Sequence, residues 1–229
     1  MTEITIDELE TYMYCGEYYR AYINGKVPLY SNRKPINVIL TAGIKWLLAY
    51  KAKTQLVPEE DDVIIAVAKM IARAETHGFK LESPTKINDI HLALLKFRAS
   101  LSNEKIESWN QVESVLEEDI RLLFTMPLIT NKRVAFFSED TYRNTRKKIS
   151  FLIPLAYLYT QIENDRPIYI YCIDDGQIRE YQIDLEDFRM MKISYFSHRM
   201  KKGIREGIYK PIYNCTTTSC SNWKECKPY

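Results

Sequence analysis

Three of the five cysteines in this 229-residue chain crowd into its last fifteen residues, and they constrain its fold more than any other feature. Cys215, Cys220 and Cys226 form a C-x4-C-x5-C series in a tail otherwise rich in Thr, Ser, Asn and Lys. Cysteines in so polar a setting are poor core residues. Disulfides would need an oxidising compartment that nothing else in the sequence indicates. In a reducing cytosol a thiolate-bound metal explains them better. The spacing alone allows zinc or an iron–sulfur cluster, and either needs a fourth ligand. Cys15 is the available one, within a predicted first helix. Cys172 falls in a predicted core strand and reads as a small buried hydrophobe.

Composition sets the outer limits. A chain of this length buries enough surface to fold without staples. Its 32 basic residues nearly balance its 30 acidic ones, so net charge says little about partners. Charge distribution says more, with acidic clusters at 59–62 and 117–119 and basic ones at 143–148 and 199–205. No charged-then-apolar leader opens the chain, and the apolar stretches 38–49 and 149–159 are too short or interrupted to span a bilayer. The expectation is a soluble, intracellular, cytoplasmic protein with no membrane partner.

The chain changes character near residue 110. Thr5 followed by Glu8 is a capping-box pattern opening a helix that runs to Ile23. Helical periodicity then recurs over 38–53, 63–76 and 88–100. Beyond that point, 112–115, 120–125 and 133–137 are short and apolar or aromatic, which predicts strands. Residues 149–159 predict a buried helix in which Pro154 sits in the first turn or makes a kink. Asp175-Gly176 between 167–172 and 178–183 is the strongest hairpin signal. Residues 185–206 predict a final basic amphipathic helix. With no internal repeat and no linker, residues 1–229 read as one α/β domain.

The two ends carry a resemblance. Tyr12-Met13-Tyr14-Cys15-Gly16-Glu17-Tyr18-Tyr19-Arg20-Ala21-Tyr22-Ile23-Asn24-Gly25 resembles the opening of the RecB-like, iron–sulfur branch of the PD-(D/E)XK nuclease superfamily, which includes the CRISPR adaptation nucleases. That opening is a Tyr, Cys-Pro, aromatics and a Tyr-x-x-Gly exit, and Gly16 stands where Pro is usual. At the other end, residues 203–211 resemble the family's last helix running into a cysteine tail. That tail is usually C-x2-C-x5-C, so the first spacing here is two residues longer. The resemblance implies that Cys15, Cys215, Cys220 and Cys226 hold a [4Fe–4S] cluster clamping the ends, with zinc as the alternative. It also implies a restriction-endonuclease-like core sheet flanked by helices, a helical N-terminal half with an insertion over about 54–110, and a cysteine tail over 207–229.

Family members hold Mg²⁺ or Mn²⁺ with an Asp and an Asp or Glu, often with a His, beside a Lys that assists the attacking water. The matching positions here have lost that chemistry. Leu47 stands where the His should follow Gly43 by four residues. Pro127 takes the place of the first Asp. Val134–Glu139 offers no Asp/Glu-x-Lys pair. Of the Gln-x-x-x-Tyr on the next helix only Tyr157 is kept, with Ile153 in the Gln position.

The expected function is therefore a catalytically inactive, nuclease-like iron–sulfur protein. It would bind nucleic acid, with DNA the expected class, or serve as a scaffold among other subunits of a nucleic-acid-processing complex. Arg143, Arg146, Lys147, Lys148, Arg199, Lys201, Lys202 and Arg205 are the expected phosphate contacts. One alternative is an active nuclease with a relocated site drawn from Glu117, Glu118, Asp119, Glu139 and Asp140, with Lys147 or Lys148 supplying the amine. The other is a protein-interaction module with a purely structural cluster. His77, His91 and His198 are isolated, and no spacing makes them ligands.

Overall fold

Tyr171 and Cys172 are neighbours on one strand, yet they point into two different hydrophobic cores. That alternation organises the molecule, because side chains along a strand face opposite sides of the sheet. The computed structural model describes residues 2–25, 34–76, 78, 84–117, 119–145, 148–161, 166–183 and 193–207.

The chain opens with a short strand, β1 (Thr2–Thr5), then α1 (Ile6–Tyr14) and α2 (Gly16–Ile23). The predicted capping box is present: Glu8 N–H donates to Thr5 Oγ1, and Thr5 N–H donates to Glu8 Oε2 at 2.9 Å. The single helix expected over 5–23 is instead two. Cys15 between them is extended (φ −161°, ψ 112°), and it ends α1 while opening α2. Gly16, where the family places Pro, is the first residue of α2, a position at which a lost backbone bond costs little.

Three long helices follow: α3 (Pro35–Thr54), α4 (Glu60–Thr76) and α5 (Pro84–Leu101). Each begins earlier than its apolar periodicity indicates, because proline or acidic residues supply the first turn. The strands are β2 (Ile106–Ser108), β3 (Val112–Glu117), β4 (Ile120–Thr125), β5 (Leu128–Thr130) and β6 (Val134–Ser138). After α6 (Tyr142–Thr145) and α7 (Ile149–Gln161) come β7 (Ile168–Asp174), β8 (Gln177–Ile183) and α8 (Ile193–Glu206). Pro154 lies inside α7, beyond the first turn where its missing N–H would be harmless. The predicted hairpin is β7–β8, with φ +49° at Asp175 and +80° at Gly176, as a two-residue type I′ turn requires. The segment 185–192, expected to be helical, lies outside the described residues.

The strands fall into two sheets, where one core sheet was expected. One has the order β1-β4-β3 and the other β2-β5-β6-β7-β8. Met126-Pro127 is the step at which the chain leaves the first and enters the second. The pair β6–β7 is parallel and the rest of the larger sheet is antiparallel, so α6 and α7 form the crossover.

The larger sheet is covered on both faces. Val134, Phe136, Ile170 and Cys172 face a core shared with α1, α7, α8 and β4. Ala135, Tyr171 and Ile173 face a second core made with α3, α4 and α5. The stretch expected as an insertion is continuous with that second core, since Val63, Val67, Ile90 and Leu94 share it with Leu40, Leu47 and Leu48 of α3. No helix among the described residues is long and apolar enough to cross a membrane.

Candidate metal and nucleic-acid site

The positions that a PD-(D/E)XK nuclease would use for its metal can be located one by one. The β5–β6 register pairs Leu128 with Ala135, so one further step brings Pro127 opposite Phe136. Both are buried, as is Met126 beside them. Leu47 on α3 is 1% exposed in the second core, where an imidazole ligand would need a polar opening. Tyr157 on α7 packs edge-to-face on Phe124, ring centroids 5.4 Å apart. Leu47 thus lies in the core on one face of the larger sheet and Met126, Phe136 and Tyr157 in the core on the other, so these positions do not converge on one volume.

The two carboxylates just beyond the end of β6 accept from different partners. Thr41 on α3 donates to Glu139 Oε1 at 2.9 Å, on the face of the second core. Asp140 accepts from Thr141 N–H at 2.7 Å and Asn144 Nδ2 at 3.0 Å, with Lys148 Nζ at 3.4 Å. Burial pushes the Asp140 carboxyl up, but the Asn144 and Thr141 donors and Lys148 outweigh it, leaving the pKa below the ordinary value. Asp119 lies at the β3–β4 turn, where it pairs with Lys201 of α8; that bond holds its carboxyl below the usual range. Glu118 lies outside the described residues, and Glu117 ends β3 at that same turn. Of the acidic residues proposed for a relocated site, Asp119 thus stands at the β3–β4 turn, whereas Glu139 and Asp140 follow β6. Among the described residues, no three His, Cys, Asp or Glu side chains are placed to hold a metal ion.

The cysteines divide as follows. Cys15 is 4% exposed at the break between α1 and α2. Cys172 is 3% exposed, and burial pushes its thiol pKa up, which disfavours the thiolate that a metal requires. Cys215, Cys220 and Cys226 lie outside the described residues. The last described helix, α8, packs against α1, with Met200 and Ile204 in the same core as Leu9 and Tyr12. The elements flanking the two cysteine-bearing ends are therefore adjacent.

The predicted basic contacts are only partly available to a ligand. Arg146 and Lys147 lie outside the described residues. Lys148 and Lys201 are engaged by Asp140 and Asp119. Arg143 on α6 is exposed. On α8, Arg199, Lys202 and Arg205 are exposed at i, i+3 and i+6, whereas Met200 and Gly203 are buried. Those three cations form a stripe about 9 Å long at 1.5 Å per residue. Arg205 also lies 3.9 Å from the Glu206 carboxylate.

One polar cluster went unread in the sequence. Arg133, 7% exposed at the start of β6, holds Glu104 through two bonds: Nε to Oε2 at 3.1 Å and Nη2 to Oε1 at 2.9 Å. It also donates to Ser100 Oγ, Tyr171 Oη and Glu180 Oε2, and Tyr171 donates to Glu180 in turn. Burial, then the bond to Glu180, raise the Tyr171 pKa far above its ordinary value, so the phenol stays protonated. Arg133 follows the Asn131-Lys132 turn like any solvated loop cation, and its partners come from α5, the segment after it, β7 and β8. Only the assembled sheet reveals them.

Comparison with known proteins adds no family: no family model matches the chain, and no curated protein matches it.

Proposed function

We propose that this protein is a catalytically inactive relative of the RecB-like iron–sulfur nucleases that serves as a DNA-binding or scaffold subunit of a nucleic-acid-processing complex. The observation that carries the proposal is the parallel strand–crossover–strand unit β6-α7-β7, together with buried apolar residues, Leu47 and Pro127, at positions where the resemblance expects metal ligands. Leu47 and Pro127 offer Mg²⁺ no oxygen side chain, and Glu139 and Asp140 accept hydrogen bonds from different partners, which supports the loss of the water-activating site. The adjacency of α1 and α8 supports the second half of the reading, a metal clamp of Cys15, Cys215, Cys220 and Cys226. Thiolates are the donors both iron–sulfur clusters and structural zinc prefer, and a [4Fe–4S] cluster is the proposed occupant.

The exposed stripe Arg199, Lys202 and Arg205 supplies the phosphate-contacting surface. Replacing all three by Glu, then measuring duplex DNA binding at two salt concentrations, tests it. Loss of three phosphate contacts should flatten the slope of log K against log salt by about 0.9 per contact. Unchanged affinity and slope would remove DNA from the proposal. Metal analysis of anaerobically purified protein beside Cys15→Ala tests the clamp: about four irons per chain, lost in the variant, is the expected result. About one zinc per chain would keep the clamp and discard the cluster.

A further inference from the structure

A cavity of about 430 Å³ opens between α5 and the β7–β8 hairpin. Asp89, Leu92 and Lys96 form one wall on α5; Ile178 and Glu180 of β8, with Tyr171 of β7 behind them, form the other. β8 is the outermost strand of its sheet among the described residues, so its far edge carries unpaired N–H and C=O groups. A helix standing beside a free strand edge is the arrangement in which extended peptides add to a sheet.

The charges in and around this groove are not equivalent. Asp174 is paired with Lys34 and Asp175 with Lys86, each at 2.9 Å, and Glu180 is held by Arg133 and Tyr171. Asp89 and Lys96 make no ion pair or hydrogen bond among the described residues. They lie seven residues apart, about 10.5 Å along one face of the helix. Between them stands Leu92, 55% exposed. The groove thus offers a spare negative charge, an apolar contact and a spare positive charge in a line.

α5 and β8 run in the same sense. Asp89 Cβ lies 3.4 Å from the position a side chain would take at Gly176, just before β8, while Ser100 and Glu180 share Arg133. Lys96 therefore lies farther along β8 than Asp89, which stands beside its start.

We propose that this groove docks an extended segment of a partner protein, laid antiparallel on β8, with acidic, apolar and basic side chains at alternate positions in that order. Its acidic residue faces Lys96, its apolar residue packs on Leu92 and Ile178, and its basic residue faces Asp89. Alternate residues of a strand repeat every ~6.6 Å, so the two charges fall about 13 Å apart, within side-chain reach of their partners. The antiparallel sense follows from the slightly better hydrogen bonding of that pairing. This surface is independent of the nuclease-like reading and would stand if that reading failed.

The test is fluorescence anisotropy with the full chain and two fluorescein-labelled peptides, Ser-Glu-Thr-Val-Thr-Lys-Ser and its transposed form Ser-Lys-Thr-Val-Thr-Glu-Ser. The native chain should bind the first about tenfold more tightly, the scale of two charge pairs turned from attraction to repulsion. The double variant D89K/K96D, whose changes are solvent-exposed, should invert that preference while its circular dichroism is unchanged. Binding of neither peptide, or an unchanged preference in the variant, would overturn the proposal. So would self-association of the native chain, seen by sedimentation and abolished in the variant, which would give the groove to a second copy.

Discussion

The two faces of the five-stranded sheet are covered in different ways. One is closed by α3, α4 and α5, a contiguous run of chain, around a core that contains a buried ionic cluster. The other is closed by α1, α7 and α8, drawn from both ends and the middle, around a core that holds no buried charged side chain among the described residues. The first face can tolerate a buried guanidinium because five donors find Glu104, Glu180, Tyr171 and Ser100. The second face relies on apolar packing and on one external cap, where Glu10 of α1 accepts from Ser150 N–H at 2.7 Å and Oγ at 2.8 Å at the start of α7. Charge placement makes the first face specific, and connectivity does so for the second.

Arg133→Met should break this contrast most strongly. It strands the Glu104 carboxylate in the core, at a cost of about 3–5 kcal/mol in urea unfolding. Adding Glu104→Leu should restore most of that loss, because a dry hydrophobic pair replaces a buried ion pair. If the single variant loses under ~1 kcal/mol, the cluster is solvated and the two faces are alike.

Gly43→Ala comes next, and it also acts on the first face. A Cβ there would lie 2.4 Å from Leu94 Cδ1, so α3 and α5 must separate or Leu94 must change rotamer. Overpacking of this kind costs about 1–3 kcal/mol. On the second face, Thr5→Ala removes the capping box of α1 and should cost about 1 kcal/mol.

The smallest effect concerns Lys51, 1% exposed at the end of α3, where its ammonium donates to Gln55 O at 3.1 Å. Burial lowers its pKa from the ordinary 10.5, with Glu104 opposing. Below the lowered value both folded and unfolded states carry the proton, and the burial penalty applies in full. Between that value and 10.5 the unfolded chain binds more protons, so stability rises with pH across that window. Lys51→Met should therefore stabilise the protein at neutral pH, and its advantage should shrink as pH approaches 10.5.

What could be read in the sequence was local. The capping box at Thr5, the Asp175-Gly176 turn and the periodicity of α3 to α5 are each decided within a few residues, and each is present. The break at Cys15 was not legible, because Thr11 to Tyr22 keeps helical periodicity across it. Nor was the division of the strands, since the step at Met126-Pro127 depends on which neighbours β4 and β5 find. Leu47 and Pro127 were legible as apolar residues, whereas the different partners of Glu139 and Asp140 needed the assembled structure.

The closure by α8 of the core around α1 has a consequence for biosynthesis. Met200 and Ile204 complete a core begun by Leu9 and Tyr12, so α1 leaves the ribosome roughly 10–40 s before its last partner at ordinary elongation rates. During that interval α3, α4 and α5 can assemble with one another, while the part of α1 that α8 covers stays open to chaperones and to misassociation.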